Sequence, residues 1–417
     1  MIEVMRNAFK VEELRKKLIF TFLMIVVFRI GTQVPVPGIN RDVINELVNK
    51  GQLLGFFNVI SGGAFANFSI FAMSITPYVN ASIILQLLTV VVPSLERLSK
   101  DNDGRKKIAS YTRYLTVVLA FVQAIGISIG FSSALIEYNW INVTVIAISL
   151  TAGTAFLMWM GELINDKGIG NGISILIFAG IISRLPSGIY TLYAYLKAGT
   201  VNIFVLLIML VIAVLMVAAV VMLNEGQRRV PVQYAKRVVG RKVYGGQNTH
   251  IPLRVNQAGV IPIIFAMTIL MFPGTIAAWF PNNSFMVGMA NFFDSGRVWY
   301  QIVYALLIVF FTFFYSAITV NVMDIADNLK KYGGFIPGLR PGRPTSDYLG
   351  KISSRITMAG AIFLALIAVV PSLLLMLTDM RLSMGSTSLL IVVGVVLDTV
   401  KQMEAQLMMR NYQGFLK

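Results

Sequence analysis

FFNVISGGAFANFSIFAMSITPYVNASIILQLLTVVV, residues Phe56–Val92, is the stretch that decides the fold. Its first half is apolar but is broken by small and polar residues, and it is too short for a membrane-spanning helix, which needs about 20 residues. The second half predicts a helix from Ile75 onward, with Pro77 in the first turn, where proline is tolerated. Irregular backbone at membrane depth survives only where protein buries it or where it lines a wet cavity. The stretch therefore predicts a half-depth plug, a helix that starts partway into the membrane, and a cavity whose wall is the rest of the chain.

The composition indicates a polytopic membrane protein. Of the 417 residues, 56% are hydrophobic and only 13% are charged, whereas a soluble domain carries roughly 25% charged residues. The chain has no cysteine and therefore neither disulfides nor thiol chemistry. The single histidine, His250, excludes a histidine-rich metal site. We expect no metal and no cofactor.

Apolar segments long enough to span a membrane recur along the whole chain and predict an all-α fold of ten transmembrane helices. They are Leu18–Val34, Ile75–Val92, Tyr114–Phe131, Trp140–Met160, Ile173–Tyr193, Val201–Leu223, Ala258–Phe280, Trp299–Met323, Ile356–Leu377 and Ser386–Val400. Arg184 and Pro186 interrupt the fifth segment, and the tenth is short.

The basic residues predict the orientation. The N-terminus, the even-numbered connections and the C-terminus carry 28 Lys and Arg, and the odd-numbered connections carry 6 when Arg184, at the interruption of the fifth segment, is counted with them. Because cytoplasmic loops are enriched in Lys and Arg, both termini are predicted to be cytoplasmic.

The sixth and eighth connections are long and basic. The sixth, Asn224–Gln257, alternates Val230, Val232 and Tyr234, which predicts a projecting β-hairpin. The eighth, Asp324–Ser354, contains glycine and proline turns that would present its arginines on a formed tip. These loops are either basic only to orient the protein, or they form a docking surface for an acidic partner or RNA phosphate.

Catalytic signatures are missing from the sequence. It contains no HExxH zinc motif, no GxSxG elbow, no P-loop and no TVGYG filter. The apolar segments hold almost no carboxylate, the usual mark of ion coupling. Arg29 is the main charge within a span, and snorkelling to the outer interface explains it simply. We therefore expect no enzyme.

Aliphatic residues recur at one-turn spacing beside helix breaks. Ile75 and Val79 share one helix face, and so do Ile173 and Ile177. Ile264 and Ile391 lie near other breaks. Periodicity alone describes ordinary helix packing equally well, so only the cavity makes these residues a constriction.

A series of motifs in order along the chain resembles the SecY family of bacterial protein-translocation channel subunits. The motifs include VPVPGI (Val34–Ile39), SGGAFANFSIFAMSITPY (Ser61–Tyr78), ASIILQLLTVVVP (Ala81–Pro93), GRKKIASYTRY (Gly104–Tyr114), GIGNGISILIFAGI (Gly168–Ile181), QRRVPVQYAKR (Gln227–Arg237), NQAGVIPIIFA (Asn256–Ala266), FIPGLRPGRPT (Phe335–Thr345) and TSLLIVVGVVLD (Thr387–Asp398). The likeness covers essentially the full length.

The resemblance implies an hourglass pore between two inverted, pseudo-symmetric halves, residues 1–196 and 197–417. It places the hinge near Arg184–Val201. It implies a lateral gate with the second and third spans on one side and the seventh and eighth on the other. The function implied is passage of unfolded secretory polypeptides across the bacterial plasma membrane and sideways release of membrane segments into lipid.

The resemblance also implies roles for individual residues. The pore ring would be Ile75, Val79, Ile173, Ile177, Ile264 and Ile391. The plug would span about Phe57–Ser69 and include Phe57, Ser61, Gly62, Gly63, Phe65, Asn67 and Phe68. A polar gate cluster would comprise Gln86, Gln123 and Asn256. Partner-docking loops would present Arg228, Arg229, Arg237, Arg241, Arg340 and Arg343.

The implied partners are the small membrane subunits SecE and SecG, the motor ATPase SecA, the ribosome, polypeptides with signal sequences and membrane lipid. The small residues of the plug predict close packing under the ring without strong anchoring. Two other functions remain open from the residues alone. One is a secondary transporter with discontinuous helices, and the other is a membrane anchor that docks ribosomes.

Overall fold

The computed structural model describes residues 6, 8–50, 58, 61–199, 203–234, 237–239, 242–244, 248–279, 283–293, 297–377 and 386–414. Helices dominate these ranges. They are α1 (Glu12–Gly31), α2 (Arg41–Lys50), α3 (Thr76–Val91), α4 (Pro93–Lys100), α5 (Asn102–Gly130), α6 (Trp140–Lys167), α7 (Gly172–Ile182), α8 (Leu185–Lys197), α9 (Ile203–Glu225), α10 (Ile261–Trp279), α11 (Ser284–Phe292), α12 (Val298–Thr319), α13 (Val322–Lys331), α14 (Arg343–Leu377) and α15 (Ser386–Gly414).

The described residues of the ten predicted apolar segments are mostly helical, with the fifth segment divided between α7 and α8 and the eighth between α12 and α13, and the chain is an all-α polytopic membrane protein. Within the described ranges, six helical runs are long and apolar enough to cross a membrane when α7–α8 and α12–α13 count as one run each, or seven if the bent pair α3–α4 is also one span. Helix α1 is not counted among them because its first turns carry the charged residues Arg15, Lys16 and Lys17, which shorten its apolar run. Helices α5, α14 and α15 extend beyond their predicted ends, since apolar periodicity marks only the lipid-facing part of a longer helix.

Two spans are broken where the sequence places proline. Helices α3 and α4 meet at Val92 with a bend of 103° before Pro93. Helix α7 ends at Ile182, and α8 begins at Leu185 with Pro186 in its first turn. Proline lacks the amide hydrogen that would continue the preceding helix, so each break falls just before it.

The sixth connection forms strands, as predicted. Strand β1 (Gln227–Tyr234) pairs antiparallel with β4 (Asn248–Arg254), and the short strands β2 (Arg237–Val239) and β3 (Lys242–Tyr244) pair with each other. The eighth connection supplies a strand that the sequence did not predict, β5 (Gly334–Phe335), which pairs with the end of β1. The sheet order is β4-β1-β5, so the two long basic connections form one structural unit.

This unit, the two-connection platform, has its own apolar core. Val230 and Val232 from β1 are buried together with residues of β4, α13, the start of α14 and Ile336, which directly follows β5. The platform therefore rests directly on the ends of the eighth and ninth spans, because α13 follows α12 after only Val320 and Asn321.

A polar seam joins helices from the two ends of the chain. Lys17 Nζ donates to Gln406 Oε1 at 3.5 Å. The amides of Ile169 and Gly170, between α6 and α7, donate to Thr21 Oγ1 at 3.1 Å and to Gln402 Oε1 at 3.0 Å. Apolar residues of α1 and α15 pack around Ile169. This seam, Lys17–Thr21 with Ile169–Gly170 and Gln402–Gln406, fixes α15 to the first half of the chain.

Candidate pore, plug and gate

Four of the six predicted ring residues line one cavity. Its volume is about 20 Å³, which is room for about one water molecule. Its wall is formed by Ser74, Ile75, Thr76, Val79, Ile177, Ile264, Met267, Thr268 and Met271. These residues come from α3, the segment that leads into it, α7 and α10. The Thr268 hydroxyl donates to the Ile264 carbonyl of its own helix at 2.7 Å, so the cavity wall is predominantly apolar.

The other two predicted ring residues lie in the same apolar cluster but do not line this cavity. Ile391 is buried on α15, and Ile173 is half-buried at the start of α7, where Asn171 caps the helix. The six side chains therefore share one cluster to which α3, α7, α10 and α15 contribute.

The plug is an irregular, buried segment ahead of α3. Residues Ser61–Ile75 are turns, with Phe68 and Ser74 at positive φ values of 40° and 53°. Two backbone hydrogen bonds tie this segment to the chain after α1: Val36 N donates to Phe68 O, and Ile70 N donates to Val34 O, both at 3.0 Å. Phe57 lies outside the described residues.

Side chains of the plug fill a separate apolar cluster at one end of the bundle. Phe65 and Phe68 are buried there, and Phe65 makes an edge-to-face contact with Phe131 at the end of α5. Phe71, just after the plug, stacks between Phe28 and Phe156. Asn67 is half-buried and its amide donates to Gln33 at 3.4 Å.

The expectation that the plug lacks strong anchoring is wrong at one point. Arg29 Nη1 donates to the carbonyl oxygen of Gly62 at 2.8 Å. Two further bonds order the plug internally: Ser61 Oγ accepts from Phe65 N at 3.1 Å, and Asn58 Oδ1 accepts from Ala66 N at 3.0 Å. Small residues allow close packing, but the backbone groups that they expose still need hydrogen-bond partners in a buried setting.

The helices of the predicted gate are in contact. Helix α10, the seventh span, packs against α3, α5 and α12, which are the second, third and eighth spans.

The predicted polar gate residues have different surroundings. Gln86 donates to Ser82 of its own helix at 3.1 Å, and Gln123 is buried on α5. Asn256 Nδ2 donates to Asn224 Oδ1 at 2.8 Å and to Gly259 O at 3.1 Å. Within the described part of the chain, no hydrogen bond joins Gln86, Gln123 and Asn256 to one another.

Exposed arginines mark the two-connection platform. Arg228 and Arg229 on β1 are exposed, as are Arg340 on the turn before α14 and Arg343 at the first position of that helix. That turn is ordered, since Thr345 Oγ1 donates to Arg340 O at 2.8 Å, and Gly338 and Gly342 take positive φ values. Arg237 lies on β2, and Arg241 falls outside the described residues.

Several residues of this site escaped the sequence analysis. Met267, Thr268 and Met271 follow Ile264 at three-, four- and seven-residue spacing, which predicts that they share its helix face. Their residue types do not distinguish a cavity wall from ordinary helix packing. Ser183 and Arg184 approach the plug from the α7–α8 break. Among the described residues, no group of three or more His, Cys, Asp or Glu is arranged to hold a metal ion.

The chain resembles one protein family over most of its length. A family model described as SecY matches residues 69–400. The chain is 48% identical over 431 residues to the Protein translocase subunit SecY of Halalkalibacterium halodurans, with 100% of both chains covered.

Solved structures share the fold. A structure concerned with how the plug domain of SecY stabilises the closed state of the translocation channel superposes with a TM-score of 0.67 and 18% identity, covering 94% of this chain and 92% of that chain. Sec61 in the canine ribosome-channel complex from the endoplasmic reticulum gives a TM-score of 0.61 and 17% identity, with the same coverage. The match to the family model and the identity over the full length show that this chain belongs to the SecY family.

Proposed function

We propose that this chain is the pore-forming subunit of a protein-conducting channel in the bacterial plasma membrane. It passes unfolded secretory polypeptides across the membrane and releases transmembrane segments sideways into lipid. One observation carries the proposal: Ile75, Val79, Ile177 and Ile264 line a single small apolar cavity, next to a buried irregular plug.

An aliphatic constriction suits this function. A narrow apolar passage resists wetting and therefore resists ion flow. Branched aliphatic side chains also offer no directional bond to a passing polypeptide, so they hold no particular sequence. In the closed state the ring comprises these four residues together with Ile173 and Ile391. The plug spans about Phe57–Ser69.

The gate is assigned to the contact of α10 with α3 and with α5. The two halves of the channel are residues 1–196 and 197–417. A hydrophobic segment that enters this contact leaves water for lipid, which is favourable by roughly 25 cal/mol per Å² of apolar area. Gln86, Gln123 and Asn256 set how hydrophobic that segment must be, because polar groups facing the gate favour water over lipid.

The two-connection platform is the assigned docking surface, with both termini on the same cytoplasmic side. Its exposed arginines suit the phosphates of a ribosome or acidic patches on the motor ATPase SecA. The structural likeness to a Sec61 channel in a ribosome complex supports a ribosome as one partner. The small membrane subunits SecE and SecG and polypeptides with signal sequences complete the proposed set.

The test is a crosslink to a polypeptide in transit. The chain contains no natural cysteine, so Ile264→Cys introduces a unique thiol. A stalled secretory polypeptide with one cysteine should form a disulfide with this position. Ile208→Cys is the matched control, because Ile208 is exposed on α9 and lies outside the cavity.

A crosslink at position 264 but not at position 208 is the expected result. Equal crosslinking at both positions, or none at either, would overturn the pore assignment. An anchor that only docks ribosomes would keep ribosome binding and give no crosslink at position 264.

A further inference from the structure

Three side chains from distant parts of the chain approach the backbone of Gly62 and Gly63 in the plug. Arg29, near the end of α1, donates to the Gly62 carbonyl at 2.8 Å. The Ser183 hydroxyl, in the α7–α8 break, lies 3.5 Å from the same carbonyl oxygen. The guanidinium of Arg184 lies beside Gly63, close enough to touch a methyl group placed on its Cα.

The bond from Arg29 is the strongest of these contacts. A charged donor forms a shorter and stronger hydrogen bond than a neutral one, and more so in a half-buried setting. The ion pairs formed among the described residues do not include Arg29 or Arg184. The plug carbonyl therefore supplies the acceptor that a carboxylate supplies elsewhere.

The position of this carbonyl is fixed by glycine. Gly62 has a φ of 65°, and a Cβ placed on it would lie 2.8 Å from the Cα of Gly180 on α7. Only glycine satisfies both the left-handed conformation and the close approach of two backbones. Gly62 is thus clamped between Arg29 on one side and α7 on the other.

We propose that Arg29 is a plug-positioning residue whose bond to Gly62 latches the plug in its seat. The other wall of the latch, Gly180–Arg184, borders the break between α7 and α8. Movement at that break withdraws the wall from Gly62 and leaves the plug held by Arg29 alone, which weakens the latch. The inference rests on the proposed channel function, because a latch regulates only a plug that closes a passage.

The test measures plug displacement without measuring transport. Ser69 is fully buried, with 0% of its surface exposed, so Ser69→Cys places an isosteric thiol that reagents reach only when the plug leaves its seat. Full-length chain with this single cysteine is labelled with a membrane-impermeant maleimide in membrane vesicles. Because the thiol reacts only while the plug is displaced, the labelling rate reports the fraction of channels with a displaced plug.

Arg29→Gln in the Ser69→Cys background should raise the labelling rate about 10- to 100-fold, the effect of losing one hydrogen bond to a charged group. Arg29→Lys should restore most of the protection, since it keeps a cationic donor. Arg41→Gln is the matched control: it removes an exposed arginine from α2, in the connection that follows α1, and should leave the rate unchanged.

Unchanged labelling in Arg29→Gln, or an equal increase in Arg41→Gln, would overturn the latch. If Arg29→Gln fails to reach the membrane, Gly62→Ala displaces the same carbonyl from the plug side through its clash with Gly180, and a rate equal to the parent would then refute the proposal. A failed crosslink at position 264 with increased labelling would instead disprove the channel function and leave Arg29 as a positioning residue.

Discussion

Replacing Gly153 with alanine should unseat the plug from a distance. Gly153 lies in the middle of α6, and a Cβ built on it would lie 1.9 Å from the carbonyl oxygen of Ile70. That oxygen belongs to backbone, so a change of side-chain rotamer cannot relieve the clash. Ile70 must move by about 1.5 Å to restore the ~3.5 Å separation of atoms in contact.

The neighbours of Ile70 determine what that shift costs. Its amide is bonded to Val34 O at 3.0 Å, and the adjoining Phe71 is stacked between two other rings. Overpacking a well-filled core typically costs about 1–3 kcal/mol. If this cost destabilises only the state with the plug seated, the fraction of channels with a displaced plug rises about 5- to 150-fold.

The assay is ion conductance of the reconstituted channel without a polypeptide substrate, which should rise in Gly153→Ala. Gly288→Ala is the matched control, since Gly288 also lies in a helix but nothing is within 4 Å of its Cβ position. Alanine there should be neutral or stabilising by up to about 1 kcal/mol. A folded Gly153→Ala channel with the conductance of the parent would refute the argument.

Three other substitutions test separate parts of the molecule. Ile264→Gly should raise resting conductance by enlarging the apolar constriction, whereas Ile208→Gly, facing outward on α9, should not; equal currents would contradict the ring. Arg340→Glu should abolish partner-driven secretion in vesicles while membrane insertion continues, and normal secretion would argue against docking at this turn. Val232 is fully buried between the two long connections, so Val232→Ala should lower the free energy of unfolding of the platform by about 1–3 kcal/mol and weaken partner binding. Unchanged partner binding by a destabilised platform would show that docking does not depend on this packing.

The sequence predicts local features well in this protein. Pro77 marks the first turn of α3, Pro186 marks the break between α7 and α8, and alternation in Val230–Tyr234 marks a strand. These features depend on residues within a few positions of one another, where proline sterics and side-chain alternation act directly.

Contacts between distant residues could not be derived from periodicity. Arg29 was noticed as an unusual charge, but its acceptor is a backbone carbonyl 33 residues later, and every residue has such a carbonyl. The two-residue strand Gly334–Phe335 has no alternating pattern to detect, because it is too short for one. Asn256 was expected beside Gln86 and Gln123 from family likeness, whereas its hydrogen bonds go to Asn224 and Gly259.

The seam between the first and last spans limits how the bundle can open. If the bonds of Gly170 to Gln402 and of Lys17 to Gln406 persist, the corner around them stays still, and displacement grows with distance from it. Ile391 shares its helix with Gln402 and stays near the fixed corner, whereas Ile264 travels with α10. The aperture then widens on one side only, as an eccentric opening next to α10.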